Sequence, residues 1–202
     1  LHGVIGNYTD WVTGTRIQAL ANDRNLCVVM PSGDNKFYCD SALSGDKYGS
    51  FIAKDLVEFI QDTFPVSKAR EDTIIGGLSM GGFGSIVNAL RNPDTFGYVC
   101  ALSSALIKEG ILHSVNEPGR DFFTRRQYET LFGVEKVEDY AGSENDYEAL
   151  ADGLKDAPNK PKIYMACGTE DGLFPANVAF RDKLIADGLD VTWEEGPGAH
   201  NW

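Results

Sequence analysis

Short apolar runs alternate with longer amphipathic stretches along this 202-residue chain. Such alternation is typical of a parallel β-sheet whose faces are covered by helices. All but the last of the runs are almost continuously apolar, which indicates strands buried on both sides. The predicted strands are residues 26–30, 73–76, 98–102, 162–166 and 191–194. The length suits one domain, so we expect a single α/β domain over residues 1–202.

Four helices are predicted between these strands, over residues 11–22, 49–64, 82–91 and 176–187. In the second helix, apolar side chains recur at steps of three and four residues and form one face. Pro65 then ends that helix, because proline cannot continue the hydrogen-bonding pattern.

Residues 105–159 interrupt the alternation. This segment is polar, contains several glycines and has two helical fragments, residues 123–132 and 147–154. We interpret it as an insertion over the carboxyl edge of the sheet, where open α/β sheets bind their ligands. A surface excursion without a role is the alternative, because long insertions cost little free energy.

The segment Gly77-Leu78-Ser79-Met80-Gly81 lies between a predicted strand and a predicted helix. A Gly-x-Ser-x-Gly match alone is weak, but in this setting it predicts the sharp nucleophile turn of α/β-hydrolases. Glycines on either side of the serine remove the Cβ atoms that such a turn would bring into collision. Ser79 is therefore the predicted nucleophile.

A serine nucleophile needs a histidine base and a carboxylate that orients it, in the chain order Ser, acid, His. Of the three histidines, only His200 follows the last predicted strand, on a Gly-Pro-Gly-Ala turn. After the strand at 162–166 come two carboxylates, Glu170 and Asp171. We favour Asp171, because Gly172 permits a tight loop beside it, but spacing alone leaves Glu170 open.

Two backbone N–H groups are expected to stabilise the oxyanion of an acyl-transfer intermediate. Met80 follows the nucleophile at the start of a helix, and Val4 lies in the Gly-rich segment after His2. Trp11 and Trp202 follow the oxyanion segment and His200, so they are candidate substrate-binding residues, with core packing as the alternative.

The composition excludes several classes of partner and site. With 18 basic and 30 acidic residues, the net charge of −12 disfavours nucleic acids and anionic membranes. We expect no metal, because the cysteines and histidines lack the spacing of metal ligands, and no cofactor, because acyl transfer on a serine needs none. Cys27, Cys100 and Cys167 lie in apolar runs and are expected to be buried. Cys39 lies in a loop, where a reactive thiol is the less favoured alternative.

Taken together, the Leu-His-Gly-Val-Ile-Gly-Asn start, the Gly-Gly-Leu-Ser-Met-Gly-Gly turn, the Cys-Gly-Thr-Glu-Asp loop and the Gly-Pro-Gly-Ala-His end resemble the putative-esterase family. This family of α/β-hydrolases includes tributyrin, feruloyl and acetylxylan esterases and S-formylglutathione hydrolase. The resemblance implies Ser79, Asp171 and His200 as a catalytic triad, with Val4 and Met80 as oxyanion donors. It also favours Asp171 over Glu170.

Members of that family have strands before the His-Gly segment and a helix after the catalytic histidine. We therefore expect this chain to lack its N-terminal strands and C-terminal helix. No signal peptide or oxidising compartment is indicated, so we expect a cytoplasmic bacterial protein. Its oligomeric state stays open.

The leading functional hypothesis is hydrolysis of short-chain or aromatic esters, small or carbohydrate-linked, through an acyl-enzyme. S-formylglutathione hydrolysis by the same triad is the nearest alternative, with Arg120, Arg125 or Arg126 available for the carboxylates of glutathione. A non-catalytic binding module is the third possibility. Such modules generally lose a member of the triad, and this chain retains all three candidates.

Overall fold

The computed structural model describes residues 1–201, which contain one parallel sheet of four strands. The strands are β1 (Ile74–Leu78), β2 (Tyr98–Leu102), β3 (Lys162–Gly168) and β4 (Val191–Gly196), and they lie side by side in chain order. Four of the five predicted strands are therefore present. Because all four run in the same direction, their carboxyl ends share one edge of the sheet.

Helices connect the strands, as the alternation predicts. They are α1 (Asp10–Gly14), α2 (Ile17–Arg24), α3 (Tyr48–Ser50), α4 (Leu56–Thr63), α5 (Met80–Arg91), α6 (Lys108–Leu112), α7 (Arg125–Phe132), α8 (Tyr147–Gly153) and α9 (Phe174–Ala186). A π-helical turn, Phe51–Asp55, joins α3 to α4, so the predicted helix at 49–64 is nearly continuous. Short 3₁₀ turns cover Arg70–Asp72 and Val137–Tyr140.

The predicted strand at residues 26–30 is wrong. These residues join no strand ladder within residues 1–201, and Leu26 is 51% exposed. An apolar, β-branched run forms a strand only where a neighbouring strand pairs with its N–H and C=O groups. The local pattern was therefore compatible with a strand, but the described residues offer no partner for it.

The helix predicted over residues 11–22 is two helices, α1 and α2. Thr15 between them has an extended backbone, and its hydroxyl bonds to the Trp11 carbonyl and accepts the N–H of Ile17. A threonine side chain that satisfies backbone groups in this way replaces helical hydrogen bonds. The apolar pattern of the sequence thus continues across residues 11–22, although Thr15 divides the structure into two helices.

The core lies between the sheet, α5 and the segment at residues 105–159. Every residue of α5 except Arg91 is buried, and the Phe83 ring contacts the rings of Phe37, Phe132 and Tyr147. Phe132 and Tyr147 belong to the inserted segment, which also buries Ile111 and Tyr140. The insertion is therefore part of the core and not a surface excursion.

The cysteine predictions are partly wrong. Cys39 is buried, and this burial raises the pKa of its thiol far above the usual value, so it is not a reactive thiol. Cys27 is exposed because residues 26–30 form no covered strand, and Cys100 is only partly buried. Cys167 is buried as expected.

Residues 1–201 contain no helix that is long and apolar enough to cross a membrane. The same residues contain no cluster of histidine, cysteine and acidic side chains that could hold a metal ion.

Candidate active site

Ser79 occupies a sharp turn between β1 and α5. Its backbone has a φ of 59° and a ψ of −115°, a conformation that non-glycine residues rarely adopt. Three backbone hydrogen bonds hold it: the Ser79 N–H donates to the Leu102 carbonyl over 2.9 Å, and the Ser79 carbonyl accepts the N–H groups of Phe83 and Ala105. Strand β2 and the residues after it therefore fix the conformation of the turn.

Two glycines allow this turn to close. A Cβ atom on Gly77 would collide with the backbone of Gly81, and one on Gly81 would collide with the carbonyl of Leu1. The strand, the helix and the N-terminal segment thus approach one another more closely than side chains permit. The sequence argument for the Gly-x-Ser-x-Gly spacing rests on the same crowding.

The loops after β3 and β4 bring Asp171 and His200 to the same sheet edge. The N–H of Glu170 donates to the Gly198 carbonyl over 2.9 Å, and the N–H of Thr169 donates to the Gly196 carbonyl. A side chain on Gly168 would collide with the Gly198 backbone, so the two loops pack directly on each other. Backbone hydrogen bonds from the loop that contains Asp171 thereby position the loop that contains His200.

A chain of hydrogen bonds joins the three side chains. Nδ1 of His200 lies 2.8 Å from Oδ2 of Asp171, and Nε2 lies 2.9 Å from Oγ of Ser79. An ionised carboxylate only accepts, so Nδ1 carries the ring proton and Nε2 accepts the hydroxyl proton of Ser79. The described geometry is that of a nucleophile, its base and the group that orients the base.

Asp171 is held in its ionised form. Its side chain is 1% exposed, and this burial acts to raise its pKa. Three hydrogen bonds to the carboxylate outweigh that effect, so the Asp171 pKa lies below its usual value; they come from the N–H of Leu173, the ring of His200 and the hydroxyl of Ser103. Glu170 is exposed and has no bond to His200, which leaves Asp171 as the carboxylate that meets the histidine.

The predicted oxyanion donors lie on both sides of Ser79. Met80 begins α5, and Gly3, the residue before Val4, lies against the nucleophile: a Cβ atom built on Gly3 would stand 3.6 Å from the Cβ of Ser79. Within residues 1–201, neither the N–H of Val4 nor that of Met80 donates to a protein acceptor. Both groups are thus available to an oxygen atom bound beside Ser79.

His2 contributes to this arrangement in a way that sequence reasoning missed. Its buried ring lies between Gly3 and Gly33: Nε2 accepts the Gly33 N–H over 2.8 Å, so Nδ1 is the protonated nitrogen that donates to the Gly3 carbonyl over 2.7 Å. The peptide unit is planar, so fixing the Gly3 carbonyl also orients the N–H of Val4. The His-Gly pair at positions 2 and 3 was the available signal.

Asn177 is a second residue that sequence reasoning missed. Its fully buried amide accepts the Ser104 N–H over 3.1 Å and donates to the carbonyls of Ser104 and Leu173, each over 2.9 Å. Ser104 precedes Ala105, whose N–H holds the carbonyl of Ser79. Asn177 therefore connects the loop that contains Asp171 with the residues that hold the nucleophile turn. Its contact with Ser104 spans 73 positions, so no local sequence motif indicates it.

We expect Asn177→Leu to lower the free energy of unfolding by about 1–3 kcal/mol, because it leaves the buried Ser104 N–H without an acceptor and removes two further hydrogen bonds. Urea unfolding followed by circular dichroism measures this change. Asn159→Leu is the control, since Asn159 bonds to Asp94 at an exposed site and should cost less than about 0.5 kcal/mol. Equal stability of the two variants would contradict the assigned role of Asn177.

The predicted substrate-binding tryptophans have different outcomes. The indole N–H of Trp11 donates to the Leu1 carbonyl over 3.0 Å, so this partly buried ring supports the N-terminal segment that leads to Val4. Contact between Trp11 and a substrate stays a prediction. Trp202 lies outside the described residues.

Several known proteins are similar to this chain over most or all of its length. The family model described as "Putative esterase" matches residues 1–187. The chain belongs to this esterase family. Its α/β-hydrolase fold and its class, a serine carboxylesterase, are confirmed by this match and by the following relatives.

An acetyl esterase of Caldicellulosiruptor saccharolyticus is 39% identical to this esterase over 203 residues, covering 100% of the chain and 76% of the relative. Two solved structures from Staphylococcus aureus are each 30% identical. One is FphF, a fluorophosphonate-binding serine hydrolase, with a TM-score of 0.84 over 99% of this chain and 74% of that one. The other is the S-formylglutathione hydrolase FrmB, with a TM-score of 0.82 over 99% and 75%.

Proposed function

We propose that this esterase hydrolyses short-chain carboxylic esters, with acetyl esters as the first candidates, through an acyl-enzyme on Ser79. The observation that carries the proposal is the continuous hydrogen-bond chain from Ser79 through His200 to Asp171. The 39% identical acetyl esterase supports the choice of acyl group. Aromatic acyl groups of the feruloyl type remain candidates on the same chemistry.

In the proposed reaction, Ser79 Oγ attacks the ester carbonyl carbon while Nε2 of His200 takes the hydroxyl proton. The N–H groups of Val4 and Met80 stabilise the oxyanion, and Asp171 stabilises the imidazolium. Collapse of the intermediate breaks the bond to the alcohol, which leaves with the proton from His200. A water molecule, deprotonated by His200, then attacks the acyl-enzyme. Collapse of this second intermediate breaks the bond to Ser79 Oγ, which takes back the proton from His200, and releases the carboxylic acid.

A fluorophosphonate probe tests the nucleophile directly. We expect one probe per protein, located by mass spectrometry on the peptide that contains Ser79. Rapid mixing with p-nitrophenyl acetate should also release a burst of about one equivalent of p-nitrophenol if deacylation is slower than acylation. Absence of both labelling and turnover would favour a non-catalytic binding module and overturn the proposal.

S-formylglutathione hydrolysis is the second candidate, favoured by the 30% identity to FrmB. Of the arginines predicted to receive glutathione carboxylates, Arg125 is occupied by structural contacts: it bonds to the Ser114 and Leu112 carbonyls and to Glu138. Only Arg120 and Arg126 are left from that set. A kcat/KM for S-formylglutathione more than tenfold above that for acetyl esters would establish the thioester as the better substrate.

We propose a cytoplasmic location, because all four cysteines are free thiols, as is usual in a reducing compartment. Fractionation of the native host with an antibody tests that proposal.

A further inference from the structure

Ile5 has a backbone conformation that isoleucine disfavours. It is the third residue of a turn in which the Gly6 N–H donates to the Gly3 carbonyl over 3.2 Å, and its φ is 60°. Turns with a positive φ at the third residue normally place glycine or asparagine there. A β-branched side chain is among the least tolerated at such a φ, because its Cβ crowds the backbone.

Packing within residues 1–201 does not offset this cost. The Ile5 side chain is 86% exposed, the highest value among the large hydrophobic residues that the structure describes. Its backbone is fixed from outside the turn, since the Ile5 N–H donates to Oδ1 of Asn35 over 2.6 Å. The fold therefore imposes the conformation and presents the apolar side chain to solvent.

The turn lies at the nucleophile. A Cβ atom built on Gly3 would stand 3.6 Å from the Cβ of Ser79, and Val4 carries a proposed oxyanion donor. Ile5 comes next, so its Cα lies within about 7 Å of that of Gly3. An ester whose carbonyl oxygen reaches the Val4 N–H would place its flanking groups close to this side chain. Strained residues that persist without packing gain are found mainly where ligands bind.

We propose that Ile5 is a specificity-determining residue whose exposed side chain contacts the apolar group that flanks the ester carbonyl. The inference rests on the proposed esterase function. If this is correct, removing the Ile5 side chain relieves the backbone strain and also weakens substrate binding. If Ile5 had only a structural role, truncating its side chain would instead lower the stability of the protein.

The test uses Ile5→Gly and Ile5→Asn, because both residues tolerate a positive φ and neither offers an apolar side chain. We expect KM for p-nitrophenyl butyrate to rise about tenfold in both variants, the loss expected for one apolar contact. The kcat should stay within about threefold, and the melting temperature should be unchanged or higher. Leu20→Asn, which removes a side chain exposed on α2, is the control and should leave KM unchanged.

Two substrate series identify the contacted group. If Ile5 contacts the acyl group, the rise in KM should grow from acetate to butyrate to hexanoate esters of one alcohol; if it contacts the alcohol, the rise should follow the alcohol instead. An active protein whose KM is unchanged in both series, or variants with a lowered melting temperature, would overturn the role of Ile5. If the unsubstituted protein neither labels nor turns over, the proposed function itself fails, and this inference fails with it.

Discussion

Replacing Ser79 with alanine is expected to lower kcat for p-nitrophenyl acetate by roughly 10⁴- to 10⁶-fold. The variant keeps the histidine, the carboxylate and the backbone donors, but no atom remains that can form the acyl-enzyme. Residual turnover should come only from direct attack of water on the bound ester, with the oxyanion stabilised by the N–H groups of Val4 and Met80. Steady-state release of p-nitrophenol measures the effect, and the same variant should not react with fluorophosphonate.

The fold should survive this substitution. The Ser79 hydroxyl bonds to Nε2 of His200, and the His200 side chain is 40% exposed. Loss of the hydroxyl therefore leaves no deeply buried group without a hydrogen-bond partner. Ser85→Ala is the matched control: it removes another serine hydroxyl from the same part of the chain, one that bonds to the Gly81 carbonyl within α5. We expect Ser85→Ala to retain kcat within about threefold, and Ser79→Ala activity near that of Ser85→Ala would refute Ser79 as the nucleophile.

The second large effect is expected for Asp171→Asn, which should lower kcat by about 10⁴-fold. The side chain remains nearly isosteric, but an asparagine can donate to Nδ1 and stabilise the opposite tautomer of His200. The proton then resides on Nε2, which can no longer accept the hydroxyl proton of Ser79. The effect should fall mainly on kcat, because the group acts on the chemical step and not on substrate contacts.

Glu170→Gln provides the control for this prediction. It removes a neighbouring carboxylate that is exposed and makes no bond to His200, so kcat should stay within about twofold. The pair of variants thus separates a carboxylate that orients the histidine from one that is only close in sequence. A large loss in Glu170→Gln with little loss in Asp171→Asn would reverse the assignment.

Much of the site could be predicted because its signals are local. The close approach of strand, helix and N-terminal segment requires glycine at positions 77 and 81, and this requirement appears as spacing around Ser79. His200 and Asp171 follow the last two strands, and carboxyl ends of parallel strands meet at one edge. Chain order and strand direction therefore bring three distant residues together before any contact is known.

The supporting residues could not be found in this way. Asn177 bonds to Ser104 from 73 positions away, and this bond depends on how α9, which packs against β3 and β4, approaches the residues that follow β2. The His2 ring meets Gly33 because two loops cross at the N-terminal segment. Side-chain hydrogen bonds between loops leave no periodicity, so only tertiary packing shows them.

The sequence alone determined the α/β class, four of the five strands, and the serine and histidine that meet at the sheet edge, because hydrophobic period, glycine spacing and chain order are properties of the chain. The strand predicted at residues 26–30 is absent, because these residues find no strand to pair with within residues 1–201. Tertiary structure decided between Asp171 and Glu170, buried Cys39, and left the Ile5 side chain exposed to solvent. Each of those outcomes depends on which distant backbone lies within hydrogen-bonding or packing distance, and that information exists only once the chain has folded.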